Sequence, residues 1–110
     1  MEVEYNYITG HPSNVYDTLT RKIRAYKGFH EYVKVGITGR DPQIRFNEHL
    51  RDREWDRMIV IYETTSARNA NIIEEWLVEE HFVDLVNEKP GGGSVLSEEG
   101  LNYVYVLISD

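Results

Sequence analysis

Four residues of types that handle phosphates follow one another along this chain in a fixed order. They are a glycine that ends a strand-like run, an arginine and a histidine four positions apart, and a glutamate in a later helix-like segment: Gly36, Arg45, His49 and Glu74. Arginine is a permanent cation whose planar fork matches a phosphate. A lone carboxylate can hold a hydrated divalent metal ion through oxygen. Residues of these types in this order could together handle a phosphate.

Taken singly, these residues also have ordinary structural explanations. Residues four apart share a helix stripe, so Arg45 and His49 fit a surface arginine beside an interfacial histidine equally well. Glu74 is one of four glutamates on its segment, and acids on a helix usually form a solvated face. Ile73 and Leu77 flank Glu74 and place it at the edge of the buried stripe, where a carboxylate could enter a cleft. Both explanations stay open at this point.

A lysine and two pairs of tyrosines add further candidates on strand-like runs. Side chains alternate along a strand, so Lys34 and Gly36 share one face. Tyr7 lies in the first such run and Tyr105 in the last. A tyrosine hydroxyl can accept or donate a proton, although strand tyrosines are more often half-buried packing residues.

The elements that must position these residues alternate regularly. The sequence predicts strands over 3–9, 31–38, 58–64 and 101–108, a helix from Pro12 ending at Gly28, a helix from Pro42 capped by Asp41, and a helix capped by Ser66 or Asn69. We therefore expect an α/β (α+β) fold, with a small mixed or antiparallel sheet of three to four strands flanked by three helices. Residues 1–110 form one domain in this interpretation.

Composition excludes several classes of protein. The chain has 110 residues, 41% of them hydrophobic, which is typical of a globular domain. It has no cysteine, so disulfides, thiolate zinc sites and a cysteine nucleophile are excluded. No apolar run approaches 18 residues and the N-terminus lacks the features of a signal peptide. We expect no membrane association and a cytoplasmic location.

The charge is unevenly distributed. The net charge is −7, which argues against a nucleic-acid partner, but ten of the 12 Lys and Arg residues lie between positions 21 and 57 against six acids, giving +4 there. From position 58 onward two bases face ten acids, giving −8. An acidic protein with this distribution can still present one basic face to a phosphate backbone.

Together, these residues resemble the GIY-YIG endonuclease superfamily, particularly its compact phage-type and restriction-enzyme-like variants. The resemblance covers about residues 32–87 and depends on order and spacing. The run Lys34-Val35-Gly36 stands at the YIG position, Arg45 follows nine residues after the glycine, His49 comes one turn later, and Glu74 is followed thirteen residues on by Asn87.

The resemblance implies the role of each residue. It makes the protein a metal-dependent endonuclease that hydrolyses phosphodiester bonds in DNA, with Glu74 holding one Mg²⁺ or Mn²⁺. Arg45 would stabilise charge on the phosphoryl oxygens, and a tyrosine hydroxyl near Lys34 would help activate the attacking water. His49 would assist proton transfer or bind phosphate. The substrate-binding residues would be Gly36, Arg40 and Asn87, with Asn87 orienting the site.

Two departures from the family pattern concern tyrosines. Lys34 replaces the second family tyrosine, as in some restriction-enzyme members. For the first tyrosine, chain order favours Tyr7, but the run around Tyr105 matches the family's first strand better. The second choice requires a circularly permuted arrangement, in which residues 102–108 pair beside residues 32–37.

Two other functions remain as alternatives. One is a catalytically inactive relative that binds nucleic acid with the same fold. The other is an acidic protein-interaction module that presents its glutamate-rich helix as a mimic of DNA. A nuclease of this size must gain affinity elsewhere, and a homodimer would provide two sites on one duplex.

Overall fold

A computed structural model describes residues 3–81, 85 and 96–110, and these contain four strands and three helices. In chain order the elements are β1 (Val3–Ile8), α1 (Pro12–Phe29), β2 (Tyr32–Thr38), α2 (Pro42–Leu50), β3 (Arg57–Thr64), α3 (Ala67–His81) and β4 (Asn102–Ser109). The predicted order is confirmed. Each strand differs from its predicted bounds by one residue at one or both ends, and α1 continues past Gly28 and ends where His30 turns extended. No helix among these residues is long and apolar enough to cross a membrane.

The strands form one mixed sheet in the order β1-β3-β4-β2. β1 pairs with β3 in parallel, whereas β4 runs antiparallel to both of its neighbours, β3 and β2. The predicted α+β fold with a small mixed sheet flanked by three helices is therefore confirmed. The predicted neighbourhood of residues 102–108 and 32–37 is confirmed as well, because β4 pairs with β2 along its whole length.

The two faces of the sheet carry different helices. α1 and α3 cover one face, where their apolar stripes pack on alternate residues of the strands, including Val33, Val35 and Ile37. α2 covers the other face, where Phe46 packs with Met58, Val60, Tyr105 and Leu107. We call this second side the α2 face. Since Lys34 and Gly36 alternate with the buried valines of β2, they also lie on the α2 face.

The start of α2 is fixed by its first two residues. The Asp41 side chain accepts a hydrogen bond of 2.9 Å from the backbone N–H of Gln43, and Pro42 occupies the first turn. An N-cap oxygen and a proline at this position both favour helix initiation. Phe46 is 1% exposed and holds the helix against the sheet. With the helix in this position, Arg45 and His49 lie on its side that faces the sheet.

The start of α3 is fixed by Ser66, one of the two predicted caps. Its Oγ accepts a hydrogen bond of 3.0 Å from the backbone N–H of Asn69. The helix then buries a stripe of residues at helical spacing: Ala70, Ile73, Glu74, Leu77, Val78 and His81. Glu74 is therefore part of the buried stripe rather than of the solvated face.

Gly36 makes room for a tyrosine ring on the α2 face. It lies directly opposite Tyr105 in the β2–β4 pair, and residues directly opposite each other point to the same face. A Cβ atom at position 36 would overlap the Tyr105 hydroxyl and ring. The tyrosine ring therefore lies across the glycine, and this placement requires the absence of a side chain there.

The variant Gly36→Ala should be destabilised by about 1–3 kcal/mol, as expected for an overpacked core. Gly28→Ala is the matched control, because a Cβ at position 28 meets no described atom within 4 Å and Gly28 lies in a helix. We expect that control to be neutral or about 1 kcal/mol more stable. Urea unfolding of the two variants checks this, and equal stability would contradict the close packing at Gly36.

Candidate functional site

The Tyr105 hydroxyl is the meeting point of the candidate site. Nε of Arg45 lies 3.3 Å from its oxygen, and Nε2 of His49 lies 2.6 Å away. A guanidinium can only donate, so Arg45 donates to the phenolic oxygen and leaves the hydroxyl proton for Nε2 of His49. The arginine and histidine come from one face of α2, and the tyrosine comes from β4. Residues 56 and 60 positions apart in the chain thus form one hydrogen-bonded group.

The protonation states of this group are set mainly by burial. Desolvation lowers the pKa of His49 to about 4, with a further contribution from the charges of Arg45 and Lys34. Desolvation raises the pKa of Tyr105 to about 12, although the Arg45 charge opposes it. At neutral pH the imidazole is therefore neutral and the phenol is protonated. This is the combination in which the hydroxyl donates and the imidazole accepts.

Glu48 holds two arginines at the edge of the site. Its Oε1 accepts from Nη2 of Arg40 at 2.7 Å and from Nη1 of Arg45 at 2.9 Å. Hydrogen bonds from Arg40 and Arg45 lower the pKa of Glu48 to about 2. Sequence reasoning missed Glu48. The only available signal was its spacing of three residues from Arg45 on one helix, which is common on surfaces.

Lys34 belongs to the same region. It lies on the α2 face of β2, two residues before Gly36. Its charge contributes to lowering the pKa of His49, so the ammonium group is within electrostatic reach of the imidazole. The structure thus brings Lys34, Gly36, Arg40, Arg45 and His49 together around Tyr105.

Glu74 is not part of this hydrogen-bonded group, because α3 packs on the opposite face of the sheet. Glu74 is 1% exposed, and its Oε1 has no hydrogen-bond partner among the described residues. Burial, with a smaller contribution from the Glu75 charge, raises the pKa of Glu74 to about 7. Its charge also raises the pKa of Tyr105, so the carboxyl lies within electrostatic reach of the phenol. No hydrogen bond or ion pair in the described residues joins Glu74 to Arg45.

The donor set matches a magnesium-type ion better than zinc. The described residues contain no group of three or more His, Asp or Glu side chains that could hold a metal. Zinc sites need about three protein ligands, whereas Mg²⁺ is usually held by one or two carboxylates together with water and substrate phosphate. A buried carboxylate oxygen without a partner, as at Glu74, fits the second arrangement.

One predicted site residue, Tyr7, lies elsewhere. Tyr7 is on β1, and β3 and β4 separate that strand from β2. Its side chain is 42% exposed, and among the described residues it makes no hydrogen bond with Arg45 or His49. Tyr105, rather than Tyr7, is the tyrosine whose hydroxyl contacts Arg45 and His49. Asn87 lies outside the described residues.

Comparison with known proteins returns no relative: no family model, no curated protein and no solved structure matches this chain. Function must therefore be argued from the geometry of the site and from the spacing of its residues.

The raised pKa of Glu74 makes a prediction about stability. The pKa is about 7 in the folded protein against an ordinary 4.5, so the folded state binds this proton more tightly. The stabilisation is complete below pH 4.5 and is lost as pH rises through 7, by roughly 3 kcal/mol in total. Glu74→Gln cannot titrate, so its stability relative to wild type should increase between about pH 4.5 and pH 8.

Urea unfolding of wild type and Glu74→Gln at both pH values, with EDTA present, measures this difference. Glu79→Gln is the matched control, because Glu79 is exposed on the same helix. If the stability difference between wild type and Glu74→Gln is the same at both pH values, the raised pKa is contradicted.

Proposed function

We propose that this protein is a metal-dependent endonuclease of GIY-YIG type that hydrolyses phosphodiester bonds in DNA. The observation that carries the proposal is the hydrogen-bonded group of Tyr105, His49 and Arg45 over Gly36. The resemblance implies a tyrosine, an arginine and a histidine around such a glycine. The order of the residues in the chain is different, because the tyrosine comes from the last strand, and Lys34 stands where the family has its second tyrosine.

Phosphate binding is supported by one donor nitrogen of Arg45 that has no partner among the described residues. Nε of Arg45 is bonded to Tyr105 and Nη1 to Glu48, and Nη2 has no partner among the described residues. The side chain is 23% exposed, so Nη2 can donate to a phosphoryl oxygen. Arg40 and Lys34 add two further cations near Arg45. The charges of Glu48 and Asp52 act on His49, and those of Glu48 and Glu74 act on Tyr105, so the placement of the arginine donor, rather than the net charge of the group, is what favours a phosphate.

The neutral Tyr105–His49 pair supplies a route for a proton. The attacking water gives a proton to the Tyr105 oxygen while Tyr105 passes its own proton to Nε2 of His49. The water oxygen bonds to phosphorus, the bond from phosphorus to the leaving oxygen breaks, and the leaving oxygen takes a proton from solvent. The imidazolium then releases its proton to solvent. Arg45 favours this sequence because its charge stabilises negative charge on the phenolic oxygen.

The resemblance assigns the divalent ion to Glu74, whose Oε1 has no partner among the described residues. Mg²⁺ or Mn²⁺ held there would polarise the phosphate and stabilise charge on the leaving oxygen. Because α3 and α2 pack on opposite faces of the sheet, Glu74 and Arg45 would act on the phosphate from different sides. Burial raises the pKa of Glu74 to about 7, so the carboxyl is ionised, as cation binding requires, mainly above that pH.

The central prediction concerns nicking of supercoiled plasmid DNA in Mg²⁺. Wild type should nick it, and Arg45→Ala and Glu74→Gln should each lose about 100-fold or more of the rate, because each removes one stabiliser of the transition state. Arg57→Ala is the control for arginine, since Arg57 forms an ion pair with Glu4 on β1 rather than a contact with Tyr105. Glu79→Gln is the control for glutamate, and both controls should keep full activity.

Equal activity in all five proteins would refute the assignment of these residues. DNA binding by wild type without any nicking would favour the alternative of an inactive binding protein. Circular dichroism of each variant shows whether a loss of rate reflects the site or the fold.

A second prediction separates the two candidate tyrosines. Tyr105→Phe keeps the ring over Gly36 but removes the hydroxyl that joins Arg45 and His49. We expect it to lose about 100-fold or more in nicking rate, the usual size of a proton-transfer contribution. Tyr7→Phe removes an exposed hydroxyl on β1 and should leave the rate unchanged. If only Tyr7→Phe lost nicking rate, Tyr7 rather than Tyr105 would be the catalytic tyrosine.

A further inference from the structure

A cleft next to the phosphate-binding cluster carries aromatic side chains that the proposed reaction does not use. It has a volume of about 480 Å³, and it is bordered by Tyr5 of β1, Tyr103 of β4, Leu101 and Arg40 beside the start of α2. Tyr5 is 53% exposed and Leu101 is 41% exposed. Large side chains at this exposure on one face form a surface that can be covered by a flat ligand.

The cleft is continuous with the Arg45–Tyr105 cluster. Tyr103 and Tyr105 are two residues apart on β4, so their side chains share a face about 7 Å apart along the strand. Arg40 borders the cleft and also shares Glu48 with Arg45. A phosphate at Arg45 would therefore place the neighbouring nucleotide at the mouth of the cleft.

The chemistry of the cleft selects a base over a phosphate. Tyrosine rings and the Arg40 guanidinium plane can stack on a nucleobase of any sequence. Asp41 also borders the cleft, and its Oδ1 is already bonded to the Gln43 N–H. A carboxylate repels a phosphate but accepts hydrogen bonds from the amino and ring N–H groups of a base. Aromatic faces beside a carboxylate thus favour a nucleobase as the ligand of this cleft.

We propose that this cleft binds one unpaired base of the DNA adjacent to the phosphate that is cut. The proposal rests on the proposed nuclease function and defines its substrate class: DNA with an unpaired nucleotide at the cleavage position, as in a flap, gap or bulge, over continuous duplex. A paired base cannot enter because its aromatic faces are already covered by its neighbours in the stack.

Fluorescence of 2-aminopurine tests base binding separately from cleavage. The probe is a DNA duplex with one unpaired 2-aminopurine, titrated with the full chain in EDTA so that no cutting occurs. Wild type should bind this DNA at least about tenfold more tightly than the fully paired duplex and should quench its fluorescence. Tyr5→Ala and Tyr103→Ala should each bind the unpaired probe about 5- to 100-fold more weakly, and Tyr5→Phe should bind it like wild type.

Phe29→Ala is the matched control, because Phe29 is an exposed aromatic residue at the far end of α1, on the other side of the sheet. Tyr5 is mostly exposed, so its variant is expected to fold even where Tyr103→Ala does not. Quenching that depends on Tyr5 supports the cleft whether or not plasmid is nicked. Nicking in Mg²⁺ with equal affinity for paired and unpaired DNA, unchanged in Tyr5→Ala, would overturn the cleft assignment and leave the nuclease proposal standing.

Discussion

The placement of the Tyr105 ring over Gly36 is the constraint on which the candidate site depends. Directly opposite residues of an antiparallel pair have Cβ atoms only about 5 Å apart, so two large side chains there would turn away from each other. With glycine on the edge strand, the ring lies across β2 and its hydroxyl reaches the buried side of α2. Arg45 and His49 can then bond the same oxygen.

Most of the fold could be predicted from the sequence because its signals are local. Caps such as Asp41 and Ser66 define where two helices begin, and period-two alternation defines the strands. The choice between Tyr7 and Tyr105 could not be made in this way. It depends on strand order, and the order β1-β3-β4-β2 places the last strand of the chain, rather than the first, beside β2. Long-range pairing of this kind follows from packing of the whole sheet.

The contacts of charged side chains could not be predicted from the sequence either. Glu48 and Glu74 are both helix glutamates, yet their pKa values move in opposite directions, to about 2 and about 7. The first is explained by two arginines that donate to one oxygen, and the second by burial without a donor. Residue type does not separate them, and helical spacing indicated only that Glu74 lies at the edge of a buried stripe beside Ile73 and Leu77. Only the folded structure shows that Glu48 is bonded to two arginines and that Glu74 has no cation bonded to it among the described residues.

The acidic net charge of −7 is compatible with the proposed DNA contact, because three cations are gathered on one face of the sheet. Lys34, Arg40 and Arg45 lie on the α2 face, whereas the exposed acids of α3 belong to a helix that packs on the other face. The molecule measures 24 Å across its shortest axis, and charges are screened within about 8 Å at physiological ionic strength. A phosphate approaching Arg45 therefore experiences the local cations and Glu48 far more strongly than the total charge. The charge of a face, rather than of the chain, decides which partner that face can bind.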